Sequence, residues 1–166
     1  MGSLTDEELF EEICLDLNII RNDFIFLHVN CFGESFSTSH SLSETFYTKL
    51  QDNIDVALEI YAGLFGYGSS LAVPFSLNDS DGSYIEGNES FEEKLKAKNP
   101  LVLFEIMKDL CQLVTEDLEV LREIVEDSGL SGYASQLDGI LEFWDTQANF
   151  IMPRYLNNMD IEQSSF

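Results

Sequence analysis

The two histidines of the chain, His28 and His40, form with three carboxylates the pattern that carries the clearest chemistry in the sequence. His40 and Glu44 are four residues apart, and so are Asp55 and Glu59. On a helix, residues four apart share a face and are separated by about 6 Å along the axis. Each pair can therefore offer two ligands to one metal ion. A mixture of imidazole and carboxylate suits iron, zinc or manganese better than a soft metal.

These ligands cannot all reach one ion from a single helix. His40 lies about 22 Å from Asp55 along the axis, at 1.5 Å per residue. A second copy of the helix, antiparallel across a two-fold axis, would set His40 and Glu44 against Asp55 and Glu59 of its neighbour. We therefore expect a metal site at a dimer interface, with His28 joining from the preceding helix. An intrachain di-iron site built on Glu-x-x-His motifs is disfavoured, because the second half of the chain has no histidine.

Apolar residues at helical spacing predict four long helices that would position these ligands. The predicted helices cover about 4–30, 39–65, 100–127 and 132–157. Residues 67–98 contain Pro74, Gly82 and Gly87 and predict a long crossover, with a short helix near Phe91–Ala97. Two short connections and one long crossover favour an all-α fold with a single domain over 1–166. The predicted architecture is a ferritin-like four-helix bundle.

Composition limits the classes of partner. The 166 residues include 31 acidic and 8 basic side chains, for a net charge of -23. This charge argues against direct nucleic-acid binding and favours the attraction of cations. No apolar run approaches the roughly 18 residues of a membrane span, and no leader pattern opens the chain, so we expect a cytoplasmic protein without a membrane partner. Three cysteines, Cys14, Cys31 and Cys111, without a Cys-x-x-Cys motif predict buried, reduced thiols.

The region from residue 28 to 59 resembles the signature of Dps proteins, the mini-ferritins that protect DNA in starved bacteria. The spacing fits without a gap. The resemblance implies a hollow dodecamer that oxidises Fe(II) with peroxide or oxygen at inter-subunit sites and stores Fe(III) inside. The residues that carry it are His28, Val29, Asn30, Gly33, Phe36, His40, Glu44, Tyr47, Asp55 and Glu59.

The same resemblance assigns roles to particular residues. His28, His40 and Glu44 would form the half of the ferroxidase site contributed by one subunit. Asp55 and Glu59 would come from its neighbour. Acids near the turn between the third and fourth long helices would line pores that admit iron, which here are Glu126, Asp127 and Asp138.

The chain also departs from the family pattern. Val29 stands where the family usually has Trp, and Glu44 where it most often has Asp. The Lys-rich tail with which some members bind DNA is missing, so we predict no DNA binding. The alternative hypothesis is a non-enzymatic scaffold of the same fold that binds zinc or no metal. A third, weaker hypothesis is a dimeric helical regulator whose acidic surface mimics DNA, which leaves the five-residue pattern unexplained.

Overall fold

A computed structural model describes residues 4–66 and 82–164, with side chains described as far as Asn158. Across these residues the chain forms helices and loops and no strand, which confirms the all-α class. Residues 67–81 of the predicted crossover lie outside the described residues. The elements are α1 (Asp6–Asn30), α2 (Phe36–Phe65), α3 (Glu89–Lys96), α4 (Leu101–Asp127), α5 (Ser131–Thr146), a π-helical segment (Gln147–Ile151) and α6 (Met152–Ser164).

The reversal between α1 and α2 is shorter than the sequence predicts. Gly33 has a φ of +86°, and the amide of Phe36 donates to its carbonyl at 3.1 Å. Helix α2 therefore begins at Phe36, three residues before the predicted start at Ser39. Ser39 is a poor guide to the helix start because its hydroxyl donates back to the Ser35 carbonyl, at 3.1 Å, from inside the first turn. This tight reversal places the end of α1 beside the start of α2.

The short helix α3 packs on α4. Asn88 caps α3, because its side-chain oxygen accepts a hydrogen bond from the Phe91 amide at 3.1 Å. The helix runs over Glu89–Lys96, two residues earlier at its start than predicted. An ion pair of 2.8 Å between Lys94 and Glu105 joins it to α4.

The last predicted helix, 132–157, is divided in the structure. Helix α5 gives way at Gln147 to one wide π-helical turn before α6 begins at Met152. Pro153 has no amide proton to donate to the preceding turn. A single π-helical turn is rare and is usually found inside an α-helix, which it widens without ending it.

The core is built where α1 meets α2 and α4, and where α4 meets α5 and α6. The single tryptophan, Trp144 on α5, is fully buried. Its ring stacks on Phe24 of α1 with centroids 6.0 Å apart, and its indole N–H donates to the side chain of Asn53 on α2 at 2.7 Å. Trp144 thus holds three helices together. None of the helices within the described ranges is long and apolar enough to cross a membrane.

Most of the eight basic side chains are held in contacts within the chain. Arginine and lysine heads either meet carboxylates or amides, or lie over aromatic rings. These contacts are Arg21 with Gln51, Lys49 over Phe143, Lys94 with Glu105, Lys98 over Phe32, Arg122 with Glu126 and Asp138, and Arg154 over Phe150.

Candidate metal centre

The two histidines come together where α1 ends and α2 begins. Their imidazole rings stack with centroids 3.9 Å apart and an interplanar angle of 24°. Nδ1 of His28 lies 3.0 Å from the backbone oxygen of His40, and Nδ1 of His40 lies 3.2 Å from the backbone oxygen of His28. The pair is therefore joined by two reciprocal hydrogen bonds.

These hydrogen bonds determine which ring nitrogen carries the proton. A carbonyl oxygen only accepts, so Nδ1 of each histidine must donate. In a neutral imidazole with a proton on Nδ1, Nε2 keeps a free lone pair. Metal-binding histidines are commonly fixed in this way, with one nitrogen bonded to a carbonyl and the other on the metal. Both rings are half-buried, so this arrangement prepares two Nε2 ligands near the surface.

Aromatic rings contact the histidine pair, and two exposed apolar side chains lie at the same place in the chain. Phe36 stacks on His40 with centroids 5.1 Å apart, and Tyr47 meets His28 edge-on at 5.3 Å. Val29, next to His28, is 72% exposed, and Phe36 is 48% exposed. Large apolar residues grouped at the surface commonly mark an interaction site.

The three carboxylates of the sequence pattern do not join the histidines within one protomer. Glu44, Asp55 and Glu59 are all exposed on α2, and Asp55 accepts a hydrogen bond of 3.4 Å from Gln51. Among the residues that the structure describes, no three His, Cys, Asp or Glu side chains form a group that could hold a metal ion. The chain thus presents its imidazoles and its carboxylates as separate groups.

The cysteines differ in their surroundings. All three are free thiols, and Cys14 and Cys111 are buried. Burial is the main cause that raises the pKa of Cys14 to about 12. Cys31 is only half-buried, so the prediction that it is buried is wrong. It lies in the reversal rather than on an apolar helix face, and its sulfur contacts both histidines of the pair.

Two of the three candidate pore acids are engaged by a base. The Arg122 guanidinium contacts Asp138 of α5 and lies 2.7 Å from Glu126 of α4. The hydrogen bond to Asp138 is the largest cause that raises the pKa of Arg122 above its usual range, and the hydrogen bond to Glu126 is the next. Asp127 is exposed at the end of α4. Arg122 therefore reduces the negative charge that this surface offers to a cation.

A cluster that the sequence did not reveal joins α1, α4 and the end of the crossover. Burial, reinforced by a hydrogen bond to the Asp16 side chain, raises the pKa of Asp117 to about 9. The Tyr84 hydroxyl also donates to the Asp16 carboxylate. Asp23 accepts from the Ser83 hydroxyl at 2.5 Å and from the Tyr84 amide at 2.7 Å. Helical periodicity alone does not reveal these contacts, because they join residues 60 or more positions apart.

A cavity of about 560 Å³ lies between α1 and the residues leading into α3. Phe26, Ile85 and Leu95 supply its apolar wall, and Asp23 is already bonded to Ser83 and Tyr84. The cavity therefore presents mainly apolar surface.

Comparisons of the chain with protein-family models, with curated proteins and with solved structures found no match.

Proposed function

We propose that this protein is a Dps-like ferroxidase and iron store. Its helices would form a ferritin-like four-helix bundle, with α1, α2, α4 and the α5–α6 region as the four long elements. Protomers would assemble as a homo-oligomer, with a two-fold dimer as the unit of each site and a hollow dodecamer as the complete particle.

The observation that carries the proposal is the reciprocally hydrogen-bonded histidine pair. His28 and His40 are held through Nδ1, which leaves two Nε2 atoms available for metal binding. Glu44 lies one turn further along α2 from His40, and Asp55 and Glu59 follow on the same helix. A neighbouring protomer, antiparallel across a two-fold axis, would bring its Asp55 and Glu59 to this pair.

The exposed apolar residues support the location of this interface. Phe36 stacks on His40, and Val29 is the exposed residue that follows His28 in the chain. Phe26 is 42% exposed one turn before Asn30 on α1. A partner that covers these side chains would remove apolar surface from water and would also exclude water from the metal site.

Fe(II) is the substrate in this proposal. The protein's net charge of -23 would concentrate cations near the surface. Two Fe(II) ions held by imidazole and carboxylate ligands would each give one electron to hydrogen peroxide. The O–O bond of the peroxide breaks, and both iron ions become Fe(III). The two oxygen atoms leave as hydroxide ions, or as water molecules once each hydroxide has taken up a proton. Carboxylates suit this reaction because hard oxygen ligands stabilise Fe(III) over Fe(II).

Fe(II) oxidation by peroxide, measured by absorbance of the ferric product under otherwise anaerobic conditions, tests the proposal. We expect the double variant His40→Ala, Asp55→Ala to fall to the rate of iron in buffer, because each substitution removes a ligand. The matched control is Asp52→Asn, which changes an exposed carboxylate of α2 outside the pattern and should keep the wild-type rate.

Equal rates for the wild type and the double variant would refute the ferroxidase. The non-enzymatic alternative has its own signature in the same experiment. A scaffold would bind Zn²⁺ through His28 and His40, or bind no metal, and in either case would leave the rate of iron oxidation at that of buffer.

A further inference from the structure

Cys31 is the first residue after α1, and its thiol contacts both members of the histidine pair. The sulfur lies 3.4 Å from the backbone oxygen of His28 and 3.6 Å from Nδ1 of His40. Cys31 is half-buried, so the contacts occur at the edge of the site rather than in the core.

The position of His28 near the end of α1 explains why its carbonyl can take these contacts. The last four carbonyls of a helix have no amide four residues further on to bond them. Helix α1 ends at Asn30, so the His28 oxygen is one of these four. It accepts instead from Nδ1 of His40, at 3.2 Å, and from the Cys31 thiol.

The two contacts of Cys31 also fix the direction of its own hydrogen bond. Since the carbonyl oxygen only accepts, the S–H must donate to it. The sulfur lone pairs then face the proton on Nδ1 of His40, which is shared between a carbonyl and a weak sulfur acceptor. A rotation of the His40 ring by half a turn would replace this N–H with a C–H and would lose both acceptors.

We propose that Cys31 is a positioning residue that holds His40 in the Nδ1-protonated form and keeps Nε2 free for the metal. It does so by offering its sulfur as a second acceptor for the Nδ1–H that the His28 carbonyl already accepts. The importance of this role for metal binding rests on the proposed function of His40 as an iron ligand. The ring state itself is a property of the metal-free protein and can be tested separately.

The imidazole ¹⁵N chemical shifts of the metal-free protein give the direct test. The chain has two histidines, so only two rings contribute signals. Magic-angle-spinning NMR suits a particle of any size. We expect one Nδ1–H form for His40 in the wild type and in Cys31→Ser, which keeps a donor. In Cys31→Ala the His28 carbonyl still accepts from Nδ1 but the sulfur acceptor is gone, so we expect part of His40 to shift to the Nε2–H form.

Two further variants keep this test decisive. Cys31→Val, which has a similar volume and no hydrogen-bonding group, replaces Cys31→Ala if that variant does not fold. Cys14→Ala removes a buried thiol of α1 and controls for a general loss of stability. A single Nδ1–H form for His40 in the folded Ala or Val variant would overturn the proposal.

Metal affinity gives the second measurement, with Co²⁺ as the probe because its absorption spectrum reports nitrogen coordination. Loss of a group that orients a metal-binding histidine typically weakens binding by 10- to 100-fold. We expect about a 10-fold weaker dissociation constant in Cys31→Ala and near wild-type binding in Cys31→Ser. Unchanged affinity in Cys31→Ala would contradict the positioning role.

Absence of Co²⁺ binding by the wild type would instead contradict the proposed function, and the NMR result would still decide the role of Cys31.

Discussion

At the scale of single residues, the hydrogen bond between the side chains of Trp144 and Asn53 is enclosed by the core. Trp144 is fully buried and Asn53 is 5% exposed, so neither side chain has free access to water. The indole N–H of tryptophan only donates, and here its acceptor is Oδ1 of Asn53 at 2.7 Å. Loss of the acceptor would leave a buried donor without a partner, which costs more than loss of an exposed hydrogen bond.

We predict that Asn53→Ala destabilises the protein by about 1–3 kcal/mol through this unpaired donor alone, and by more where a cavity remains. Urea unfolding followed by far-ultraviolet circular dichroism, at fixed protomer concentration, measures the effect. Asn22→Ala, at an exposed position of α1, is the control and should change stability by less than about 0.5 kcal/mol.

A double-mutant cycle separates the hydrogen bond from the cavity. Trp144→Phe removes the N–H and keeps an aromatic ring. In that background Asn53→Ala should cost less than in the wild type, because no donor is left unpaired. An equal cost in both backgrounds would show that the hydrogen bond contributes nothing specific.

Single-residue chemistry at the histidine pair was only partly predictable from the sequence. The residue types and their spacing suffice to propose His28 and His40 as ligands. The reciprocal hydrogen bonds and the thiol contact depend on how the five residues from Cys31 to Ser35 reverse the chain. Helical periodicity carries no information about that reversal. Only Gly33, with its positive φ, signals a turn in this stretch.

At the scale of helices, the Asp16–Asp117 contact makes the packing of α1 on α4 depend on pH. The pKa of Asp117 is raised to about 9, first by burial and then by Asp16, whereas an unfolded Asp titrates near 4. The folded state therefore binds a proton that the unfolded state has released between these two values. The stabilisation that this proton on Asp117 gives to the folded state is complete below about pH 4 and is lost as the pH rises through about 9.

We predict that Asp117→Asn, which does not titrate, becomes progressively more stable than the wild type as pH rises from about 4 to about 9. Urea unfolding at several pH values measures the difference. One proton gives a slope of at most about 1.4 kcal/mol per pH unit, and the partial exposure of Asp117 lowers it.

The control for the helix contact is Glu119→Gln, which neutralises an exposed carboxylate of α4. Its stability difference from the wild type should vary far less with pH. A difference for Asp117→Asn that is constant across the whole range would show that the two carboxyl groups share no proton.

Helix ends were harder to predict than helix positions. The apolar stripe of α2 gives no reason to extend the helix beyond Ser39 towards Phe36, because Phe36 is exposed. The division of the last helix at Gln147 follows from Pro153, six residues later, through a widened turn. In both cases a local hydrogen-bonding detail, rather than the burial pattern, determines the boundary.

At the scale of the whole molecule, the proposed sharing of ligands between protomers has a quantitative consequence. In a two-fold dimer, each of two sites takes its histidines from one chain and Asp55 from the other. A dimer of one His40→Ala chain and one Asp55→Ala chain would contain one site with both defects and one site with none.

We predict that co-expression of the two inactive variants restores activity. Random pairing gives about half mixed dimers, and each has one intact site of two, so about a quarter of the wild-type activity should return. The measurement is peroxide-driven Fe(II) oxidation per protomer, with each variant alone as the control. A co-expressed mixture no more active than the single variants would place the ligands within one chain or exclude the site.

The all-α class followed from the sequence because helical periodicity is a property of the chain itself. The exposed apolar surface at Val29 and Phe36 did not, since the exposure of these side chains becomes known only with the fold. The Asp16–Asp117 contact had no sequence signal for the same reason. Among 31 acids, only the packing of the helices selects the two that meet.

Most lysine and arginine side chains make contacts within the chain, and this affects the electrostatics of the surface. Six basic heads already face carboxylates, amides or aromatic rings of the same protomer. Neutrality at the surface must then be supplied largely by dissolved ions, which gather as a diffuse atmosphere around the protein. Any approach of two protomers compresses these atmospheres, so the free energy of their association includes the work of rearranging the surrounding electrolyte.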